Sequence, residues 1–176
     1  MREMIDRRVE VTIQRPDEPL LVWGNQAQLR QAILNLLLNA RDATIERLEA
    51  EPEFRNYRPR ISVAFPDATT AIATVTDVPG RPSIELRVTD NGAGMPAETK
   101  ERIFDPFFTT KAVDRGTGLG LSTAYGIVTD IGGTITVEST QGKGTTLTLL
   151  LPSAAAPRPP QTSSTPGNMP EGGRTT

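Results

Sequence analysis

The chain has 176 residues, a formal net charge of −2, no cysteine and no histidine. Without cysteine it has no disulfide, no thiolate metal site and no cysteine nucleophile, and without histidine it has no Ser-His-Asp triad, no histidine metal cluster and no histidine general base. The slightly acidic balance lacks the basic stripe with which proteins hold nucleic acid, and no apolar run approaches the roughly 20 residues needed to span a bilayer. The charged start, MREMIDRRVE, has no secretory core, so the chain reads as cytoplasmic with no direct membrane insertion, although a parent protein could be membrane-tethered.

Alternation over Val9–Gln14 predicts a strand, and a short apolar strand is expected over Leu20–Trp23, after the Pro16/Pro19 turn. Asn25 is placed as a helix N-cap, with Gln28 three positions on as a variant capping box. The helix should run from Gln26 to about Glu49 and end before Pro52. Ile61–Phe65, Ala71–Thr76 and Ile84–Thr89 are rich in β-branched residues and read as strands, with Asp77–Ser83 as a loop. A short helix over Glu98–Ile103, an aperiodic loop over Asp105–Thr117 and a second helix over Leu119–Ile131 follow, the last stopped by Gly132-Gly133. Thr134–Ser139 and Thr145–Leu151 form a hairpin around QGKG. From Ser153 onward the chain is mostly Pro, Ser, Thr, Ala and Gly, a composition of disorder. The connections are too short for repeated parallel crossovers, so the expected fold is a two-layer α/β sandwich, a mixed sheet with helices on one face.

The stretch 90–122 holds DNGAGMP, then IFDPFFTTK, then GTGLGLS. Glycine serves where a backbone must come close to a ligand or adopt positive φ. Two such clusters around a Thr/Lys-bearing segment suggest a nucleotide held between an acidic turn and a flexible lid. With the upstream NLLLNARDA, these pieces resemble the ATP-binding catalytic domain of sensor histidine kinases. That domain shares its superfamily with gyrase, the mismatch-repair MutL proteins and a heat-shock chaperone. NLLLNARDA matches the family's asparagine box, DNGAGMP its first glycine box, IFDPFFTTK its phenylalanine box and GTGLGLS its second glycine box. The resemblance covers about Val9 to Pro152, and LLLNARDA and PFFTTK are closest to the nitrogen-regulatory subgroup. It implies a sandwich with the nucleotide between the helices and a lid that joins the phenylalanine box to the second glycine box.

On the first helix Leu29, Ile33, Leu36, Leu37 and Ala40 form an apolar stripe. Asn35, Asn39 and Asp42 stand at i, i+4 and i+7 on another face. A solvated polar face is the plain alternative. Against it, asparagine is a poor helix-interior residue, and its amide oxygen is a hard, neutral ligand suited to a Mg²⁺ that already carries phosphates and waters. The resemblance assigns the metal to Asn39 and phosphate or water contacts to Asn35, with Asp42 in the same nucleotide site. In the family's ATP-hydrolysing relatives the position of Asn35 is a glutamate that activates water. An amide takes no proton there, which argues for transfer to another acceptor over hydrolysis.

Asp90 opens DNGAG and is either an Asx-turn residue or a buried acceptor for the adenine amino group. The resemblance implies the second. It also implies that Gly92 and Gly94 let the backbone approach the ring, that Met95 packs on its face, and that Thr145 supports the pocket through a water. Phe104 reads as core, while Phe107 and Phe108 anchor the lid. Lys111 is either solvated or a phosphate contact. Gly116, Thr117, Gly118, Leu119, Gly120 and Leu121 lead into the second helix, whose N-terminal amides suit phosphate. This is not a Walker motif, since GK[ST] is missing, and no strand precedes it as a dinucleotide fold requires.

The resemblance implies a histidine kinase domain that binds Mg-ATP and passes the γ-phosphate to a histidine on a separate dimerisation and histidine phosphotransfer domain. A response-regulator receiver domain would act downstream, and the domain by itself would be monomeric. Residues 1–8 would end the linker from the missing phosphoacceptor helices, 9–152 would be the catalytic domain and 153–176 the tail. A serine kinase of the anti-sigma type shares this fold and is one alternative. A nucleotide-sensing module without phosphotransfer is another.

Overall fold

The computed structural model describes residues 6–17, 19–50, 56–66, 82–111 and 117–154. The strand expected over Ala71–Thr76, nearly all of the 77–83 loop, Gly116 and the tail past residue 154 lie outside the described residues.

In chain order the elements are β1 (Glu10–Ile13), α1 (Gln26–Ala50), β2 (Arg60–Ala64), β3 (Ser83–Asp90), α2 (Ala97–Lys100), α3 (Gly120–Asp130), β4 (Thr134–Thr140) and β5 (Gly144–Pro152). Among the described residues, five strands make one mixed sheet in the order β1-β2-β3-β5-β4. Only the β1–β2 pair is parallel; the other three are antiparallel. α1 and α3 pack on each other and on the sheet, giving the expected α/β architecture.

α1 begins where Asn25 places it. Asn25 Oδ1 accepts the backbone N–H of Ala27 at 2.8 Å and of Gln28 at 3.2 Å, which satisfies two donors that the first turn leaves orphaned. The apolar stripe then goes inward: Ala32, Leu36, Leu37 and Ala40 are buried, and Leu29 and Ile33 pack at the rim of the core. Across from them lie Ala124 and Val128 of α3 and Ile61, Val63, Leu86, Val88, Leu147 and Leu149 of the sheet. Full burial of a side chain such as Leu36 contributes about 1.5–3 kcal/mol. α3 ends in a Schellman motif: Gly132 N–H donates to Thr129 O and Gly133 N–H to Val128 O, both at 2.9 Å, with Gly132 at φ 77°.

Two elements differ from expectation. Leu20–Trp23 is not a strand but a single antiparallel bridge, Val22 to Ser153. The chain must turn into the Asn25 cap two residues later, so no ladder develops. The helix expected over Glu98–Ile103 is one turn, α2. After it Arg102 N–H donates to Thr99 O at 3.1 Å and Asp105 N–H to Arg102 O at 2.9 Å, i to i−3 bonds that tighten the chain into successive turns.

The turn after β3 is wedged between α1 and the β4–β5 hairpin. Ala93 N–H donates to Ala43 O of α1 at 3.1 Å, and Gly142 N–H of the hairpin donates to Ala93 O at 2.6 Å. Gly94 in this turn has φ 64°, and a Cβ there would sit 2.0 Å from Thr140 O. Gly142 has φ 76°, but a Cβ there meets nothing within 4 Å. The two glycines separate conformation from collision. Gly142→Ala should lower stability by about 1–2 kcal/mol, the left-handed backbone penalty alone. Gly94→Ala should lower it by roughly 3 kcal/mol or more, because a backbone oxygen has to move as well. Urea unfolding of the two variants checks this; equal midpoints would show that the wedge yields freely.

Candidate functional site

β3 delivers Asp90 to the end of the sheet, where the residue is 8% exposed. Its Oδ1 accepts the Gly92 N–H at 2.8 Å, so the Asx-turn bond does form. The Thr145 amide on β5 also donates to the carboxylate. Among the described residues no cation pairs with it. Burial therefore raises the carboxyl from 3.8 to about 6, and the two amide bonds only moderate the rise. An ionised carboxylate has about four lone-pair sites. Two amides leave capacity for a further donor, and an acid held at such cost is a candidate site residue.

Beside it is a hydroxyl relay. Ser139 Oγ and Thr145 Oγ1 are 2.9 Å apart, Met95 N–H donates to Ser139 Oγ at 2.9 Å, and Ser139 Oγ donates to Gly144 O at 3.1 Å. Met95 packs partly buried against the core. Ser139 was not singled out in the sequence; its alternating position on β4 gave no signal distinct from any strand serine.

The glycines of DNGAG are packed against the protein's own backbone. A Cβ on Gly92 would lie 2.5 Å from the Ala43 carbonyl carbon, and the space beside Gly94 is taken by Thr140. Each admits the protein's own backbone, which brings the turn hard against α1 and the hairpin.

The polar face of α1 is half-buried, not solvated. Gln31 Nε2 donates to Asn35 Oδ1 and Asn35 Nδ2 donates to Gly120 O, both at 2.9 Å, so Asn35 latches α1 to the first residue of α3. One turn on, the Asn39 side chain makes no hydrogen bond among the described residues. A half-buried amide oxygen of this kind fits a divalent cation that brings phosphate and water oxygens with it, since Mg²⁺ commonly takes only one or two protein ligands. Asp42 follows. Its Oδ1 accepts from Arg41 at 2.6 Å and its Oδ2 from Lys111 Nζ at 2.5 Å. Lys111 is thus not merely solvated: an ion pair with Asp42 brings it onto the asparagine face.

Phe104 packs partly buried against Tyr125 with centroids 5.1 Å apart, and Phe108 lies partly buried under the Arg102 guanidinium. Phe107 is not an anchor. Its side chain is 74% exposed, and only its backbone is held, N–H to Gly118 O at 3.0 Å, with φ 66°. A Cβ on Gly118 would lie 2.5 Å from the Phe107 carbonyl carbon, so this glycine also serves chain-to-chain packing. Thr117 Oγ1 accepts the Leu119 N–H at 3.4 Å. Leu119 is the α3 N-cap without a side-chain bond, and Leu121 packs at the core rim. The N-terminus of α3 therefore opens toward Asn35 with no capping side chain of its own.

The whole arrangement is held on one stretch of α1. Asn35, Asn39 and Asp42 lie on it, and the Asp90 turn docks at Ala43.

The chain matches, over residues 24–155, the family model described as histidine kinase-, DNA gyrase B-, and HSP90-like ATPase. It is 38% identical over 152 residues to the sensor kinase CckA of Brucella abortus (strain 2308), covering 86% of this chain and 15% of that protein. It is 34% identical over 149 residues to the sensory histidine kinase/phosphatase NtrB of Rhizobium leguminosarum bv. phaseoli, covering 84% of this chain and 36% of that one. The chain thus spans a minor part of the length of these relatives. Among solved structures it is similar to the nucleotide-free catalytic domain of histidine kinase ThkA, with 29% identity, a TM-score of 0.60, and coverage of 86% of this chain and 81% of that one. The chain belongs to the histidine kinase-, DNA gyrase B- and HSP90-like ATPase family, and its relatives there are the catalytic domains of sensor histidine kinases.

Proposed function

We propose that the chain binds Mg-ATP and transfers the γ-phosphoryl group to a histidine on a separate dimerisation and phosphotransfer domain, with a response-regulator receiver domain as the next acceptor. One observation carries the reading: Asp90, a buried carboxylate with no cation on it among the described residues, begins the turn that docks on α1, the helix that also carries Asn39, whose side chain makes no hydrogen bond among the described residues. In the reading Asp90 accepts the adenine amino group, which excludes guanine because that base presents a carbonyl there. Asn39 takes the metal and Asn35 borders the phosphates. A bound Mg²⁺ would neutralise charge on the phosphate oxygens. Lys111 would trade Asp42 for the polyphosphate, and the uncapped amides at Gly120 and Leu121 would face it. Asn35 has no proton-accepting group, so water is not activated and the phosphoryl group waits for an imidazole nitrogen. The chain has no histidine, so that nitrogen lies elsewhere.

The decisive experiment adds radiolabelled ATP to the chain alone, with a histidine-bearing dimerisation helix pair, or with a serine-bearing protein substrate. Label should appear on the helix pair, in acid-labile form, and not on the chain by itself. Label on serine alone, or on the purified chain, would overturn the transfer reading.

Asn39→Ala should weaken Mg-dependent ATP binding by about tenfold or more, or at least 1.4 kcal/mol, and leave metal-free binding near its original value. Calorimetry with and without Mg²⁺ checks this, and an unchanged Mg-ATP affinity removes the metal role.

Asp90→Asn should separate stability from affinity. The folded carboxyl titrates near 6 against 3.8 unfolded, so its contribution to stability is fully present below 3.8 and is lost as pH rises through 6. At pH 7.5 the ionised group therefore weakens the fold by roughly 2–3 kcal/mol, at about 1.4 kcal/mol per unit. Asp90→Asn should recover much of that at pH 7.5 and little at pH 4. ATP affinity runs the other way. An adenine N–H stabilises the carboxylate, so affinity should fall as pH drops below 6 in the wild type more steeply than in the variant. Thermal melts and calorimetry across pH 4–8 read both; parallel pH profiles in the two proteins would show that Asp90 does not read the base.

A further inference from the structure

The residue after Asp90 is used more fully than any other side chain near the site. Asn91 Oδ1 accepts the Arg60 N–H at 2.8 Å, and Asn91 Nδ2 donates to Arg58 O at 2.8 Å. These are the two bonds a peptide group would make. Asp90 pairs with Ile61 as the last residue of the β2–β3 ladder. Beyond it the Asn91 backbone keeps one bond to that strand, N–H to Arg60 O at 3.3 Å. The main chain then leaves for α1, and the side-chain amide continues the ladder in its place. An asparagine amide is the smallest side chain that carries both a peptide's donor and its acceptor.

The other side of Asn91 is bracketed by α1 and the segment before β2. Arg47 Nη1 donates to Asn91 O at 3.0 Å, and the Arg47 guanidinium lies over the Tyr57 ring, 4.9 Å from its centroid. The Tyr57 hydroxyl is 3.2 Å from both Thr44 O and Asn91 Oδ1. Every hydrogen-bonding group of Asn91 is thus tied down, and the ties run to two elements that hold the turn from opposite sides. The neighbouring carboxylate is a different case: among the described residues, only backbone amides aim Asp90.

We infer that Asn91, braced by Tyr57 and Arg47, is the positioning residue that holds Asp90 in place to read the base. This rests on the reading of Asp90 as the adenine acceptor. Loss of the brace lets the turn shift relative to β2 while the α1 face, some residues away, keeps its asparagines. The base contact should therefore suffer and the phosphate contacts should not.

The test measures binding of ATP, GTP and inorganic tripolyphosphate, each with Mg²⁺, to the full chain and to Asn91→Ala, Tyr57→Phe and Asp90→Asn. Asn91→Ala should weaken ATP by about tenfold, the scale of one or two lost hydrogen bonds. It should narrow the ATP-over-GTP preference and leave tripolyphosphate within about twofold. Tyr57→Phe removes one hydroxyl and keeps the ring under Arg47. It should act in the same direction by about threefold, and it carries the test if Asn91→Ala does not fold. Unchanged ATP affinity in a folded Asn91→Ala, or equal loss of ATP and tripolyphosphate in either variant, overturns the inference. If Asp90→Asn loses base preference while both brace variants keep it, only the positioning role fails. If Asp90→Asn keeps full base preference, the adenine reading fails and the positioning role with it.

Discussion

The turn that follows β3 is the constraint on which the rest of the site depends. It is closed on one side by the Ala93 N–H to Ala43 O bond and on the other by the Gly142 N–H to Ala93 O bond. Both require backbones closer together than any Cβ allows. With Gly92 against Ala43 and Gly94 against Thr140, the turn is packed closely on α1 and on the hairpin, while its hold on β2 runs through Asn91. An α-helix interior rarely offers a carbonyl to an outside donor, since its own ladder uses it. Ala43 does so here and accepts a second bond. Helix, turn and hairpin thereby become one rigid corner, and Asp90 sits inside it.

That rigidity bears on the chemistry in a specific way. A buried carboxylate with no cation loses solvation and gains only two amide bonds, and it is held near 6 for that reason. A flexible turn would let water in and restore an ordinary carboxyl. The packed corner keeps the group dry, so that a base donor, on the proposed reading, meets an acceptor that needs it. On that reading, stability given up in the free protein would become selectivity in the bound one, a trade common at functional sites.

Along α1 the charges are arranged differently. Asp42 holds Arg41 and Lys111 together, and Asn35 spends its amide on Gly120. A carboxylate holds Lys111 and a backbone carbonyl holds the Asn35 amide; on the proposed reading, these are the contacts a phosphate would have to displace. The pairs are partly exposed, so each is worth about 1 kcal/mol or less. A polyanion can displace contacts of that strength. The proposed nucleotide would then reorganise the polar face of α1 but not the Asp90 corner, which has no such loose pairs.

Much of this was legible in the sequence. The Asn25 cap, the stripe of Leu36, Leu37 and Ala40, the hairpin around QGKG and the Gly132-Gly133 stop are local features, set by propensity, period and turn chemistry within a few residues. The four boxes and their order identified the family and nominated Asn35, Asn39, Asp42, Asp90 and Lys111. What the sequence did not disclose were relations between distant residues. Nothing near Lys111 tells of Asp42, 69 residues away, and nothing in Asp-Asn-Gly tells that the asparagine will stand in for a peptide against Arg58 and Arg60. Phe107 looked apolar enough to anchor and is exposed, because its backbone and not its ring meets Gly118. Leu20–Trp23 had strand composition but no partner of sufficient length before the helix cap. Local sequence thus determined which segments form helix, strand and tight turn. Tertiary packing decided which backbone each glycine faces, which carboxylate is paired and which is left buried alone, since burial and partnership are properties of the assembled fold.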